Sequence, residues 1–193
     1  YAVGLFYSTG LLWIPIILIY LGVNFITSYM VLIFFITFLT IITMGYTSYR
    51  LFKRWDATFI TVIFYTFAVY RNYSDLLERA ALGEYIAFAF IPLAIYGLHA
   101  IFEKEKFAKT MLTIGMVGLV LSHTISTELT VFFLVIYVFL NFKRINLQVI
   151  KEVIISAVLT MLLTAFYWLP MIEMMMSDRF FYQDPWTHIW DNQ

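Results

Sequence analysis

Apolar residues run along this chain in long unbroken stretches, separated by short polar clusters. The stretches at 28–46, 57–70, 82–102, 110–121, 129–140 and 152–169 are predominantly apolar and nearly free of charge. That is the pattern of a helix immersed in lipid, not of a helix at a water-facing surface. The stretch at 57–70 gives about 21 Å of helix against a hydrocarbon core of about 30 Å, and those at 110–121 and 129–140 are shorter still. Their outer ends are therefore expected to stop below the membrane surface and leave a recess lined by polar residues. The stretch at 5–21 carries Gly10 and Pro15 and follows Gly4. It predicts a re-entrant or interfacial segment at the outer face, broken in two by Pro15. Pro92 predicts a kink in 82–102, with its freed carbonyl taking a partner from a neighbouring helix, and Pro170 is expected to end the last span. The expected fold is all-α: a polytopic transmembrane helix bundle of six spans plus the N-terminal segment, one transmembrane domain over residues 1–193.

Composition narrows the class further. The chain is 63% hydrophobic and 12% charged, with mean hydropathy +0.87, whereas an ordinary soluble domain carries about 25% charged residues. An integral membrane protein follows. The absence of cysteine excludes disulfides and thiolate chemistry, and a net charge of zero offers no footprint for nucleic acid. The chain opens at Tyr1 directly into apolar residues, without a leader pattern, which reads as an internal piece of a longer protein. Arg50, Lys53 and Arg54, then Lys104, Lys106 and Lys109, then Lys143, Arg144 and Lys151 hold nine of the twelve basic residues. They fall in alternate loops, so the positive-inside rule places the loops near Lys53, Lys106 and Lys143 in the cytoplasm.

The charged window at 70–84 stands out against this background. It holds Arg71, Asp75, Glu78, Arg79 and Glu84. Arg71, Asp75 and Arg79 are four apart and would stack along one side of an α-helix. Two readings stay open. The window is a solvated connector, or its arginines hold an anionic ligand, since a guanidinium fork fits phosphate oxygens bidentately. Gly83 would let another backbone or a ligand come close beside Glu84. A carboxylate, Asp75 or Glu84, is expected beside Arg79 when no anion is bound.

A second polar break, 122–128, holds His123 and Glu128, with Ser122, Thr124, Ser126 and Thr127 able to bond freed backbone groups. It reads either as a connector in the headgroup layer or as part of a substrate path. Alternating topology puts both breaks at the outer face. His99, His123 and His188 are scattered and show no metal-ligand spacing, so no metal is expected. Gly115 and Gly118 suit helix packing, Trp168, Trp186 and Trp190 an interface belt, Met171, Met174, Met175 and Met176 packing, and Glu173 and Asp178 a solvated loop.

Several elements together resemble the YfhO-like family of bacterial multi-pass membrane proteins. They are Tyr1-Ala-Val-Gly-Leu-Phe-Tyr-Ser, Ile14-Pro15, Tyr70-Arg71, Leu77-Glu-Arg79-Ala-Ala-Leu-Gly83-Glu84, Phe90-Ile-Pro92-Leu, Leu121-Ser-His123-Thr-Ile-Ser126 and Trp168-Leu-Pro170-Met-Ile-Glu173. The resemblance implies the glycosyltransferase C-type membrane fold, of which this chain would be a central fragment. It implies a transferase that takes a sugar from a polyprenyl-phosphate donor at the outer face and passes it to a cell-envelope polymer such as teichoic acid. It also implies a catalytic Asp in an outer loop upstream of Tyr1. Under that resemblance Arg71 and Arg79 are candidates for phosphate contact, Glu84 for positioning Arg79 or the sugar, and His123 for donating to a phosphate oxygen or steadying Glu84. Asp75, Ser126 and Glu128 are possible supporting residues. The partners implied are the bilayer, the lipid-linked donor and the polymer acceptor, with no further cofactor. A lipid-linked sugar flippase and a non-catalytic assembly subunit are the alternative readings.

Overall fold

The computed structural model describes residues 10–177, and every regular element among them is helical. A short 3-10 turn, Gly10–Leu12, leads into α1 (Trp13–Tyr20). Then come α2 (Phe25–Phe52), α3 (Trp55–Thr66), a π-helical segment (Tyr70–Glu78), α4 (Leu82–Ala87), α5 (Ile91–Phe102), α6 (Ala108–Val120), α7 (Thr124–Leu140), α8 (Leu147–Leu163) and α9 (Ala165–Ser177). Among the described residues, only α2, at 28 residues, and the continuous α4–α5 run, at 21, are long and apolar enough to cross a membrane alone. The pair α8 and α9 qualifies together but is bent by 69°. By length and composition, two helices among the described residues, or three if the bent pair is one span, could cross a membrane, where the sequence pattern predicts six. The others, α6 and α7 among them, are apolar but shorter.

The packing of α2 is compatible with a membrane setting. On α2 the buried stripe is Ser28, Leu32, Ile36, Thr40, Thr47 and Ser48, while Met30, Phe34, Phe38 and Ile42 face outward. Small and hydroxylated residues inside and bulky apolar ones outside is the arrangement lipid selects, because water gives no drive to bury Phe or Ile there. The hydroxyls satisfy themselves locally, as where Thr40 Oγ1 donates to the Ile36 carbonyl at 2.7 Å. The helices α5 and α6 share the most extensive interface. A Cβ at Gly115 would lie 2.5 Å from the backbone nitrogen of Ala94, so glycine sets how closely these two backbones approach.

Two prolines behave differently from the sequence expectation. Pro15 does not split a helix, because it sits in the first turn of α1 where its missing N–H is not needed. The N-terminal residues of the 5–21 stretch lie outside the described residues, as do Trp186, His188 and Trp190. Pro170 lies inside α9, and the last span is bent instead at Thr164. Pro92 starts α5, and the carbonyl it frees, that of Phe88, accepts the Tyr65 hydroxyl from α3 at 2.8 Å.

The three basic loops meet at one end of the bundle. Arg50 reaches Glu105 at 2.5 Å, Arg144 reaches Glu103 at 2.8 Å and Lys109 reaches Glu152 at 3.3 Å. Glu105 also accepts the Tyr96 hydroxyl, and Arg50 lies over the rings of Tyr46 and Tyr96.

Candidate functional site

At α3 the chain runs out of helix one residue past Thr66, leaving carbonyls that need donors. Side chains from the next turn supply them. Arg71 Nη1 donates to the Thr66 carbonyl at 3.0 Å, and Asn72 Nδ2 donates to Thr66 and Ala68 at 2.9 and 3.1 Å. The following turn is wide, with Arg79 N–H reaching back five residues to the Ser74 carbonyl. Such π geometry is rare and concentrates at functional sites. Ala80 then takes φ +49°, a left-handed conformation strained for a residue with a Cβ, and turns the chain into α4.

This geometry separates the two arginines. Arg71 is fully buried: beyond Thr66 it donates from Nη2 to Thr40 Oγ1 at 3.0 Å, and its guanidinium lies 3.9 Å from the centre of the Tyr85 ring. A phosphate contact from Arg71 would require it to leave all of these contacts, which tie the segment to α2. Arg79, at the open end of the segment, is half-exposed. Its Nη2 meets Glu84 Oε2 at 3.1 Å and its Nη1 meets Asp75 Oδ1 at 3.4 Å. Tyr70 completes the cluster, accepting from Arg79 Nη1 at 3.0 Å and donating to Glu84 Oε1 at 2.8 Å. Sequence reasoning passed over Tyr70 as a site residue; its proximity to Glu84, fourteen positions on, depends on the wide turn and on the reversal at Ala80.

The carboxylates lie beneath the cation. Asp75 is fully buried with its Oδ2 unpartnered, and Glu84 is mostly covered. Burial, reinforced by Glu84, pushes the Asp75 carboxyl up to about 6 despite Arg79 and Arg71.

The second break arrives through Gly83. A Cβ there would sit 2.6 Å from the Ser122 carbonyl and 3.6 Å from the His123 ring, so the absence of a side chain brings α4 against the start of α7. His123 caps α7: its Nδ1 accepts from the Ser126 backbone N–H at 3.4 Å. An accepting Nδ1 puts the proton of the neutral ring on Nε2 and makes the Ser126 hydroxyl, 2.9 Å away, a donor. Ser126 therefore holds the imidazole in place. Glu128 lies further along α7, on the wall of an apolar cavity of about 430 Å³ shared with Tyr167 and Trp168, and makes no ion pair among the described residues. Another apolar cavity, of about 350 Å³, has Leu121 and Ser122 in its wall, with Phe90, Leu163 and Phe166. Among the described residues no group of three His, Asp or Glu side chains is placed to hold a metal.

The comparisons with known proteins add little to this geometry. No family model matches the chain, and no solved structure does. Over 151 residues, 75% of this chain, the sequence is 30% identical to an uncharacterized protein of Lactococcus lactis subsp. cremoris (strain MG1363). The chain spans about a quarter of the length of that curated relative, 24%.

Proposed function

We propose that this chain is part of a membrane glycosyltransferase in which Arg79 binds the phosphate of a polyprenyl-phosphate sugar at the outer face. The observation that carries the reading is the half-exposed Arg79 fork, held from below by Asp75, Glu84 and Tyr70 beside the packed breaks. A cation oriented by buried carboxylates keeps its outer face open to an anion. The apolar cavity of about 350 Å³ next to Leu121 and Ser122 suits a lipid tail. The sugar, the polymer acceptor and the YfhO-like assignment rest on the resemblance drawn from sequence.

In this reading the acceptor hydroxyl attacks the anomeric carbon as the bond to the phosphate oxygen breaks. The hydroxyl proton passes to a carboxylate supplied from elsewhere in the full protein, and Arg79 stabilises the departing polyprenyl phosphate. Glu84 and Tyr70 hold the guanidinium in register. In this reading the loops at Lys53, Lys106 and Lys143 face the cytoplasm.

Transfer of labelled sugar from a polyprenyl-phosphate donor tests the site in the full-length protein. Arg79→Lys keeps the charge but loses the fork and is expected to impair transfer at least tenfold, as is Glu84→Gln, with folding largely unchanged. Full activity in Arg79→Ala would refute the proposal. Single cysteines at Lys53, Lys106 and Lys143 should resist an impermeant thiol reagent in intact cells, and one at the exposed Tyr73 should label. Labelling at Lys106 from outside would reverse the orientation.

A further inference from the structure

The Arg79 that awaits an anion is already engaged, and its two carboxylates differ in what they lose when it leaves. Glu84 keeps the Tyr70 hydroxyl on Oε1. Asp75 keeps less: it is fully buried, its Oδ2 has no hydrogen-bond partner, Arg79 is its ion-pair partner among the described residues, and of its remaining neighbours only Tyr70 and Arg71 favour its charge. The charged and titratable groups facing Asp75 are Tyr70, Arg71 and Arg79 of its own segment and Glu84 from α4. Arg71 also favours the charged carboxylate, but both its terminal nitrogens are engaged, by Thr66 and Thr40, and it forms no ion pair with Asp75. A buried carboxylate stripped of its cation is costly, and a proton is the available remedy.

Resting on the reading of Arg79 as an anion site, we propose that anion binding there is coupled to protonation of Asp75. The incoming phosphodiester replaces the Asp75 carboxylate on the guanidinium fork, and Asp75 takes one proton from water. One negative charge enters as one is neutralised, so the site keeps its net charge and suits a monoanion. The ion pair with Asp75 is then a guard that a competing anion must displace. Burial already holds the Asp75 carboxyl at about 6 with Arg79 in place, and withdrawal of that cation raises it further. Binding therefore weakens as pH rises above about 6, by up to about tenfold per unit.

Calorimetry on the full-length protein in nanodiscs tests this with dodecyl methyl phosphate, a diester that stays a monoanion throughout the range. Repeating the titration in buffers of different ionisation enthalpy counts the protons taken up. Uptake approaching one proton per anion near neutral pH is the expected result, with Asp75→Asn binding independently of pH and without uptake. The wild-type count stands by itself if that variant fails to fold. Dimethyl phosphate serves as the second arm. Uptake with the dodecyl ester alone supports a membrane-borne anion, and uptake with both supports a soluble one. Binding that Arg79→Gln abolishes but that takes up no proton overturns the coupling and leaves the anion site standing. Absent binding, or binding unchanged in Arg79→Gln, overturns both.

Discussion

Arg71 is where an anchor and a ligand contact make opposite predictions. Arg71→Ala removes two hydrogen bonds from a charged donor, each worth about 1.5–3 kcal/mol, and a desolvated cation–π contact worth about 2 kcal/mol. Against this loss of roughly 5–8 kcal/mol stands the desolvation of a buried guanidinium, several kcal/mol that the variant no longer incurs. The variant also leaves a cavity, strips the Thr66 carbonyl of one of its donors and removes a cation near Asp75. The net expectation is a destabilisation of about 3–5 kcal/mol, present without any ligand. Arg79→Gln should cost little below about pH 6, where Asp75 is protonated and Arg79 itself is half-exposed, and more as pH rises and the buried carboxylate loses its cation.

Reversible unfolding in detergent, followed by a tertiary-structure probe, separates these magnitudes. A double-mutant cycle sharpens the assignment: Thr40→Val removes the acceptor of Arg71 Nη2, so Arg71 and Thr40 should show a coupling of about 1–2 kcal/mol. If Arg71→Ala unfolds within about 1 kcal/mol of wild type yet loses anion binding, the anchor reading is wrong and Arg71 belongs in the recess.

Asp75 gives a pH signature with a definite sign. Its native pKa lies above the ordinary 3.8, so its stabilising contribution is complete below about pH 4 and is lost as pH rises through about 6. Relative to wild type, Asp75→Asn should gain about 1–3 kcal/mol between pH 4 and 7 in unfolding experiments, and parallel curves would refute this. Tyr65→Phe removes the donor to the Phe88 carbonyl and should cost about 1–2 kcal/mol by the same assay; Pro92→Ala, which restores a backbone donor, should shrink that cost. Gly83→Ala puts a Cβ against the Ser122 carbonyl and should cost about 1–3 kcal/mol while weakening anion binding, read by calorimetry.

The all-helical class was legible because the sequence consists of long apolar runs with short polar breaks. The 82–102 stretch and the α4–α5 run share their ends, since a charged window precedes it and a charged loop follows. The partner for the carbonyl freed at Pro92 was expected from backbone chemistry alone, though Tyr65 could not be named. Pro15 and Pro170 were misread because proline's effect depends on its place in the helix, which a predominantly apolar stretch does not reveal. The six-span pattern counts every apolar run as a crossing, but α6 and α7 are shorter than the hydrocarbon core requires of a straight helix.

The site was less legible, for a reason visible in α2. The spacing of 71, 75 and 79 predicts one side of an α-helix, whereas the segment is π-helical. What decides their fates lies thirty residues earlier, where the Thr40 hydroxyl stands on a buried stripe that continues through Thr47 and Ser48. Hydroxyls recurring near helical spacing in an otherwise apolar run were the available signal for an interior able to receive a charge. With Thr40 and the Tyr85 ring to receive it, the first arginine turns inward and fixes the segment, and the last stays out. The same burial that anchors Arg71 drags Asp75 under cover, which is why one carboxylate of the Arg79 clamp is dry and the other is not. The asymmetry between two arginines eight residues apart is therefore a property of the helix they pack on, and it turns a charge ladder into a guarded cation.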